Sequence, residues 1–362
     1  MKQPLWEGVV LVLVAIVFAV ALTFASVELP HVLNRGLELV FGDALFPPGV
    51  HSGPNEGASE VVIQQRFLRP IGYACLAAVL ALIVLGLIAE RRQLATAGAL
   101  LFFLPVFGHF AVQMFFLAGL GILRTIWLPL LDGAYKLTGD PEFWLFGLGD
   151  VALLPYKVIV SVGVWLRLDL RTVLPYVTMG LGLFLFILGV LAWFRARRLG
   201  LAMARSSVYR VSRHPQYLGW IVWSYGLFLY LLRHGEGAHF QIGWGIPDSL
   251  PWLVSALVIV GVALLEEIGM RRELGDEYSA YAARTPFLVP LPAIVTRLVA
   301  LPMRLVLRKQ RPETGAEVAA VVLLYLALSM LASWSLRALG PLGGTGLDVL
   351  MYAEAQPGGP VV

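Results

Sequence analysis

Apolar runs long enough to cross a bilayer alternate along this chain with short, basic, turn-rich joints. A helix needs about 20 apolar residues to span the hydrocarbon layer. That measure predicts spans at residues 9–27, 71–89, about 96–123, 175–194, 217–232, 251–265 and 317–335. Residues 143–166 are also long enough, but they hold Asp150, Pro155 and Lys157. They read either as a span with an internal ion pair or as a re-entrant or interfacial helix. Residues 28–69 are polar and contain Pro47-Pro48-Gly49 and the run Ser52 to Gly57, which predicts an exposed loop. The expectation is an all-α, polytopic transmembrane bundle of about 7–8 spans.

Composition agrees with the pattern. Of 362 residues, 59% are hydrophobic and 14% are charged, against about 25% charged in a soluble domain. The net charge of +4 is too small, and too confined to the ends of apolar runs, to point to nucleic acid. The single cysteine, Cys75, lies in a predicted span, so no disulfide framework exists. The six histidines lack HExxH spacing, and no metal site is expected. Pairs such as Gly180 and Gly182 lack the strand–turn–helix context of a dinucleotide fingerprint and read as close helix packing. His109 and Gln113 share one helical face, as a helix–helix hydrogen bond or as cavity lining.

Two stretches carry most of the chemistry. The first is Arg213 to Gly219, RHPQYLG. Pro215 disfavours helix at His214 and suits the first turn of the next helix, so Arg213 and His214 sit at a helix start, beside unpaired N–H groups. Tyr217 adds a ring and a hydroxyl, and Gly219 removes a side chain where something approaches closely. The second stretch runs from Glu266 to Pro290. Glu266 and Glu267 end an apolar helix, where the dipole disfavours negative charge, so they need partners such as Arg271 and Arg272 or a bound cation. Leu274-Gly275 should break the helix, and Tyr278 and Tyr281 should share one face of the piece that follows. Each feature alone has an ordinary reading as a membrane-face turn, a solvated salt bridge or an aromatic anchor. Together they offer an anion clamp, an aromatic plate and carboxylates. The two densest basic regions follow the 175–194 and 251–265 spans, which places both stretches on one side, expected to be the cytoplasmic side.

The order RHPxYxG, an apolar helix pair, then EExxMxxxxGxxYxxYxxxxPxxxP resembles the isoprenylcysteine carboxyl methyltransferase and phospholipid methyltransferase superfamily of membrane enzymes. The likeness covers Val173 to Pro292, giving a core at 173–292, an accessory region at 1–172, and a basic linker with a last helix at 293–362. It implies S-adenosylmethionine as cofactor, held by Arg213, His214, Pro215, Tyr217, Leu218, Gly219, Glu266 and Glu267, with Tyr278 and Tyr281 shaping a lid. It implies a lipid-like or small hydrophobic acceptor entering from the bilayer: a prenylcysteine-type carboxylate, a phospholipid amine or a thiol. Glu267 and His214 are candidates for a general base, and Arg284 for orienting an acidic head group. Leu274 replaces the usual aromatic before the glycine, and Phe287 stands where a basic residue is common. Composition points to a bacterial inner membrane. A sterol-reductase-like, NADPH-dependent oxidoreductase and a transporter are the competing classes.

Overall fold

The computed structural model describes residues 5–41, 57–109, 147–234 and 249–338, and between 109 and 147 only 118, 120–127, 129, 130 and 133. The described chain is helical, without strands: α1 (Leu5–Phe41), α2 (Gly57–Ile88), α3 (Arg92–Phe103), α4 (Leu154–Trp165), α5 (Leu170–Arg198), α6 (Pro215–His234), α7 (Leu250–Arg284), α8 (Ala293–Leu307) and α9 (Gly315–Ala338). Five of these helices contain a segment long and apolar enough to cross a membrane, at Gly8–Leu37, Arg69–Ile88, Leu170–Arg198, Leu250–Arg284 and Gly315–Leu336. This is a helical, integral membrane protein.

Several boundaries differ from the sequence expectation. The loop expected over 28–69 is helical at 28–41 and 57–69, because α1 runs past Pro30 and α2 begins before Pro70. Membrane helices tolerate such prolines when neighbours satisfy the freed carbonyls. The span expected over 96–123 stops as α-helix at Phe103 and tightens into a 3-10 turn, Leu104–His109, around Pro105. Gln113 and the His109 side chain lie outside the described residues. Residues 154–165 form a helix of only 12 residues with Pro155 in its first turn, too short to cross a bilayer. Asp150 does not reach across to Lys157; its Oδ1 accepts a hydrogen bond from Ser249 Oγ at 3.0 Å.

The helices pack in two groups. Leu76, Ile83, Leu87, Phe102, Val258, Val262 and Val318 bind α2, α3, α7 and α9 around one core. The other group is α1, α5 and α6, where Val27, Met179 and Leu227 meet. Helices α5 and α6 run antiparallel along a glycine seam. A Cβ at Gly219 would fall 2.7 Å from Gly182 O, and one at Gly226 would fall 2.7 Å from Met179 Cγ. Small residues let membrane helices approach to backbone contact. Gly182 therefore has the packing role that the sequence predicts.

The described residues between 118 and 171 stay at one end. Thr125 packs on Gly72 near the start of the α2 span, and Gly149 packs on Ser249 at the start of α7. The described part of 124–171 thus lies at the end opposite Arg213 and Glu267 and makes no crossing. The turn at Glu90, with φ 56°, lies at the Arg213 end, and there α3 folds back on α2.

Candidate active site

Pro215 opens α6, and the two residues before it turn toward the far half of α7. The Arg213 N–H donates to Pro286 O at 3.0 Å. This backbone bond joins the first stretch to the strap of residues 285–290 that follows α7. The strap leaves α7 because Thr285 is extended, with φ −116° and ψ 128°. Helix α7 is itself broken at Gly275, where φ is 53° and ψ −122°, as the sequence predicts. Few side chains tolerate that backbone conformation.

Glu267 is the hub. Its side chain is 4% exposed, and three cationic groups or potential cations surround it. Arg213 Nη2 lies 3.0 Å from Oε1, and Arg271 Nη2 lies 2.5 Å from Oε2, one helical turn away. His214 Nε2 is 3.5 Å from Oε1, an ion-pair contact at the outer edge of hydrogen-bond reach. Three partners around one buried carboxylate supply the compensation that such a charge requires. Arg272, the other predicted partner, turns away from Glu266. Both its Nη atoms hold the Glu90 carboxylate instead, at 2.5 and 3.1 Å, and Glu90 Oε1 also accepts the Gly315 N–H at 3.1 Å.

Glu266 is different. Its side chain is 33% exposed, and its contact with His214 Nδ1 is 3.8 Å. It lies close enough to Tyr209 and Tyr217 to act electrostatically on both hydroxyls. Burial first, and then the Glu266 charge, push the Tyr209 hydroxyl above its ordinary range, so it remains a neutral phenol. Of the two carboxylates, Glu266 is the one available to a ligand.

Aromatic rings wall the cluster. Tyr217 lies 5.7 Å from the His214 ring, and Phe287 lies edge-on to His214 at 5.1 Å with the Arg213 guanidinium 5.7 Å from its centre. Tyr278, 3% exposed, carries Arg271 over its face at 5.8 Å. Tyr281 packs on Tyr278, and its hydroxyl donates to Tyr209 O at 2.7 Å. Tyr209 was not singled out in the sequence; only its place in the basic stretch before RHP marks it.

Two buried guanidinium nitrogens in this cluster, Arg213 Nε and Arg271 Nε, have no hydrogen-bond partner among the described residues. Buried polar groups left unpaired are costly and rare. The cluster thus has unspent capacity for a polar ligand.

Not every predicted site residue belongs to it. Gly219 faces α5, and what approaches it closely is the backbone of Phe186 and Gly182. Pro215 packs toward Gly189 of α5, and the Leu218 N–H closes the first turn on His214 O at 3.0 Å. Arg284 is exposed at the end of α7, with no ion pair to the cluster among the described residues. Among the described residues no group of His, Cys, Asp and Glu is arranged to hold a metal. An open groove of about 540 Å³ lies elsewhere, between α1 and α5, lined mostly by apolar residues, with Thr23, Glu28 and Tyr176 among them. It lacks the convergent polar groups of the Glu267 cluster and faces where lipid would lie.

A family described as a protein of unknown function (DUF1295) matches residues 192–285, from the end of α5 to Thr285. That family lies within the steroid 5-alpha reductase-like and isoprenylcysteine methyltransferase-like membrane superfamily. The matched segment contains Arg213, His214, Tyr217, Glu266, Glu267, Tyr278 and Tyr281. No curated protein and no solved structure matches the chain.

Proposed function

We propose that this protein is an integral membrane methyltransferase that uses S-adenosylmethionine and acts on a lipid-like or small hydrophobic acceptor. The observation that carries this reading is the convergence of Arg213, with its buried Nε unpartnered among the described residues, and His214 on the buried Glu267, beside the half-open carboxylate of Glu266 and walled by Tyr217, Tyr278 and Phe287. A zwitterionic ligand with a cationic centre and a flat ring matches that set of charges and surfaces. Bound S-adenosylmethionine would supply an activated methyl group on a sulfonium.

The residues divide the work. Arg213 and His214 bind the anionic end. Glu266 faces the positive centre, and Tyr217 offers a ring and a hydroxyl. Glu267 is a positioning residue: it fixes Arg213, His214 and Arg271 rather than meeting the ligand. Arg284, free at the rim, is placed to meet an acidic head group. Alignment of two bound partners in a water-poor site can lower a barrier by up to about 7–11 kcal/mol, so acceptor positioning is the main catalytic task. The positive-inside rule supports a cytoplasmic site, since the basic joints flank it, and a bacterial inner membrane fits the composition.

The superfamily that the match points to also contains reductases, so an NADPH-dependent oxidoreductase is the second reading. Titration calorimetry of the purified protein separates them. S-adenosylmethionine should bind and NADPH should not, and Tyr217→Ala and Glu266→Gln should each weaken that binding in a protein that still purifies folded. Saturable NADPH binding without S-adenosylmethionine binding overturns the proposal. Labelled S-adenosylmethionine with total lipid extract then identifies the acceptor fraction.

A further inference from the structure

Helix α8 is the one described helix with no buried residue. Ile294, Leu298, Leu301 and Leu305 fall on a single stripe at three- and four-residue spacing, and they are 69%, 62%, 47% and 68% exposed. Arg297 and Arg304 lie seven apart beside that stripe. Arg308, in the left-handed conformation at φ 54°, ends the helix, and Arg311 follows. Lys309 is already held by Glu313 and Glu317, both at 2.8 Å, whereas Arg297, Arg308 and Arg311 are exposed. The helix touches the bundle mainly at α9, where Tyr325 donates its hydroxyl to Val299 O.

Position decides what covers the stripe. α8 starts just after the strap at 285–290 and ends just before α9, a helix of spanning length. Both of its chain connections are therefore at the Arg213 end of the bundle, and its middle meets the Tyr325 hydroxyl, ten residues into α9. At 15 residues it is too short to span. An apolar stripe flanked by arginines suits a helix lying in the plane of the interface, its apolar side in the acyl boundary and its cations among phosphates.

We infer that α8 is an interfacial anchor that binds the anionic phospholipid leaflet, with Ile294, Leu298, Leu301 and Leu305 in the acyl region and Arg297, Arg308 and Arg311 on lipid phosphates. This does not depend on the methyltransferase reading. It also gives the strap a fixed height relative to the bilayer, because only Leu291 and Pro292 separate the strap from α8.

The test uses the full chain reconstituted in vesicles of phosphatidylcholine, alone or mixed with phosphatidylglycerol. In a Cys75→Ala background, nitroxide labels at 294, 298, 301 and 305 should collide more with oxygen than with an aqueous nickel chelate, and a label at 310 should do the reverse. Free access of the nickel chelate to all four positions overturns the proposal. Protection from both reagents also overturns it, since that would mean a second copy or another protein covers the stripe. Independently, and with Cys75 retained, the triple variant Arg297→Gln/Arg308→Gln/Arg311→Gln should lose preference for phosphatidylglycerol over phosphatidylcholine, by up to about fivefold per residue. An unchanged lipid preference refutes the arginine assignment.

Discussion

Arg213 and Glu267 meet at 3.0 Å across two helices, and this contact joins the two stretches of the chain that carry its chemistry. The guanidinium belongs to the approach to α6 and the carboxylate to the middle of α7. Both are nearly enclosed, at 11% and 4% side-chain exposure. Neither charge is tolerable there without the other.

Replacing Glu267 tests that dependence. Glu267→Gln keeps the shape but leaves Arg213 and Arg271 facing each other without a counter-charge. Breaking a buried pair from one side costs about 3–5 kcal/mol. The variant should melt well below the wild type in a thermal scan in detergent. An unchanged Tm would show that the cluster is open to water.

The glycine seam makes a paired prediction. At Gly219 a methyl group would meet backbone atoms of Phe186 and Gly182, which cannot swing aside. Gly219→Ala should force α5 and α6 apart and cost about 1–3 kcal/mol. Gly269, one helix away in α7, has nothing within 4 Å of the same position. Gly269→Ala should be neutral or stabilising by about 0.5–1 kcal/mol. Equal effects of the two substitutions on Tm would contradict the packing described here.

Gly275 tests backbone conformation alone. A Cβ there meets no neighbour, yet φ is +53° and ψ is −122°. Gly275→Ala should cost about 1–3 kcal/mol through strain. It should also loosen Tyr278 and Tyr281, which follow the kink, and weaken ligand binding measured by calorimetry. A fully stable variant would mean that α7 can straighten without loss.

Acid should act on the Glu90 clasp. The Arg272 hydrogen bond is the largest effect on this carboxyl and holds it below the ordinary carboxylate range; partial burial opposes it, and the Gly315 N–H adds to it. A lowered folded-state value means that the contribution is fully present above the ordinary carboxylate value. It is lost as pH falls through the lowered one. Tm should therefore decline over that acidic window, and Glu90→Gln should flatten this part of the profile. The variant and wild type keeping the same slope would remove Glu90 from the account. The effect is modest, because Arg272 is 57% exposed and solvent screens the pair.

The sequence revealed some of this arrangement and concealed the rest, for physical reasons. Pro215 marks a helix start wherever it occurs in such a context, so the turn at Arg213 and His214 was readable. The kink at Leu274-Gly275 and the Glu267–Arg271 contact were readable because they are local in sequence. Arg272 was not, because its partner Glu90 arrives from another helix and nothing local distinguishes Arg272 from Arg271. Gly219 announced a close approach without naming the approaching element, which is α5. The helix through Pro30 was hidden because a proline that breaks a helix in water can sit inside one packed against neighbours, and Pro30 is buried. The α8 surface was hidden within the basic linker, because a stripe of four apolar residues interspersed with arginines falls well short of a spanning run.

The strap at 285–290 is fastened to the first stretch through the main chain, Arg213 N–H to Pro286 O. A latch of that kind is indifferent to side-chain identity. Phe287, next along the strap, takes no part in that latch; its ring meets His214 and Arg213 through the side chain alone. A substitution at 287 would therefore change what faces the Arg213 and His214 side chains while the strap stays fastened.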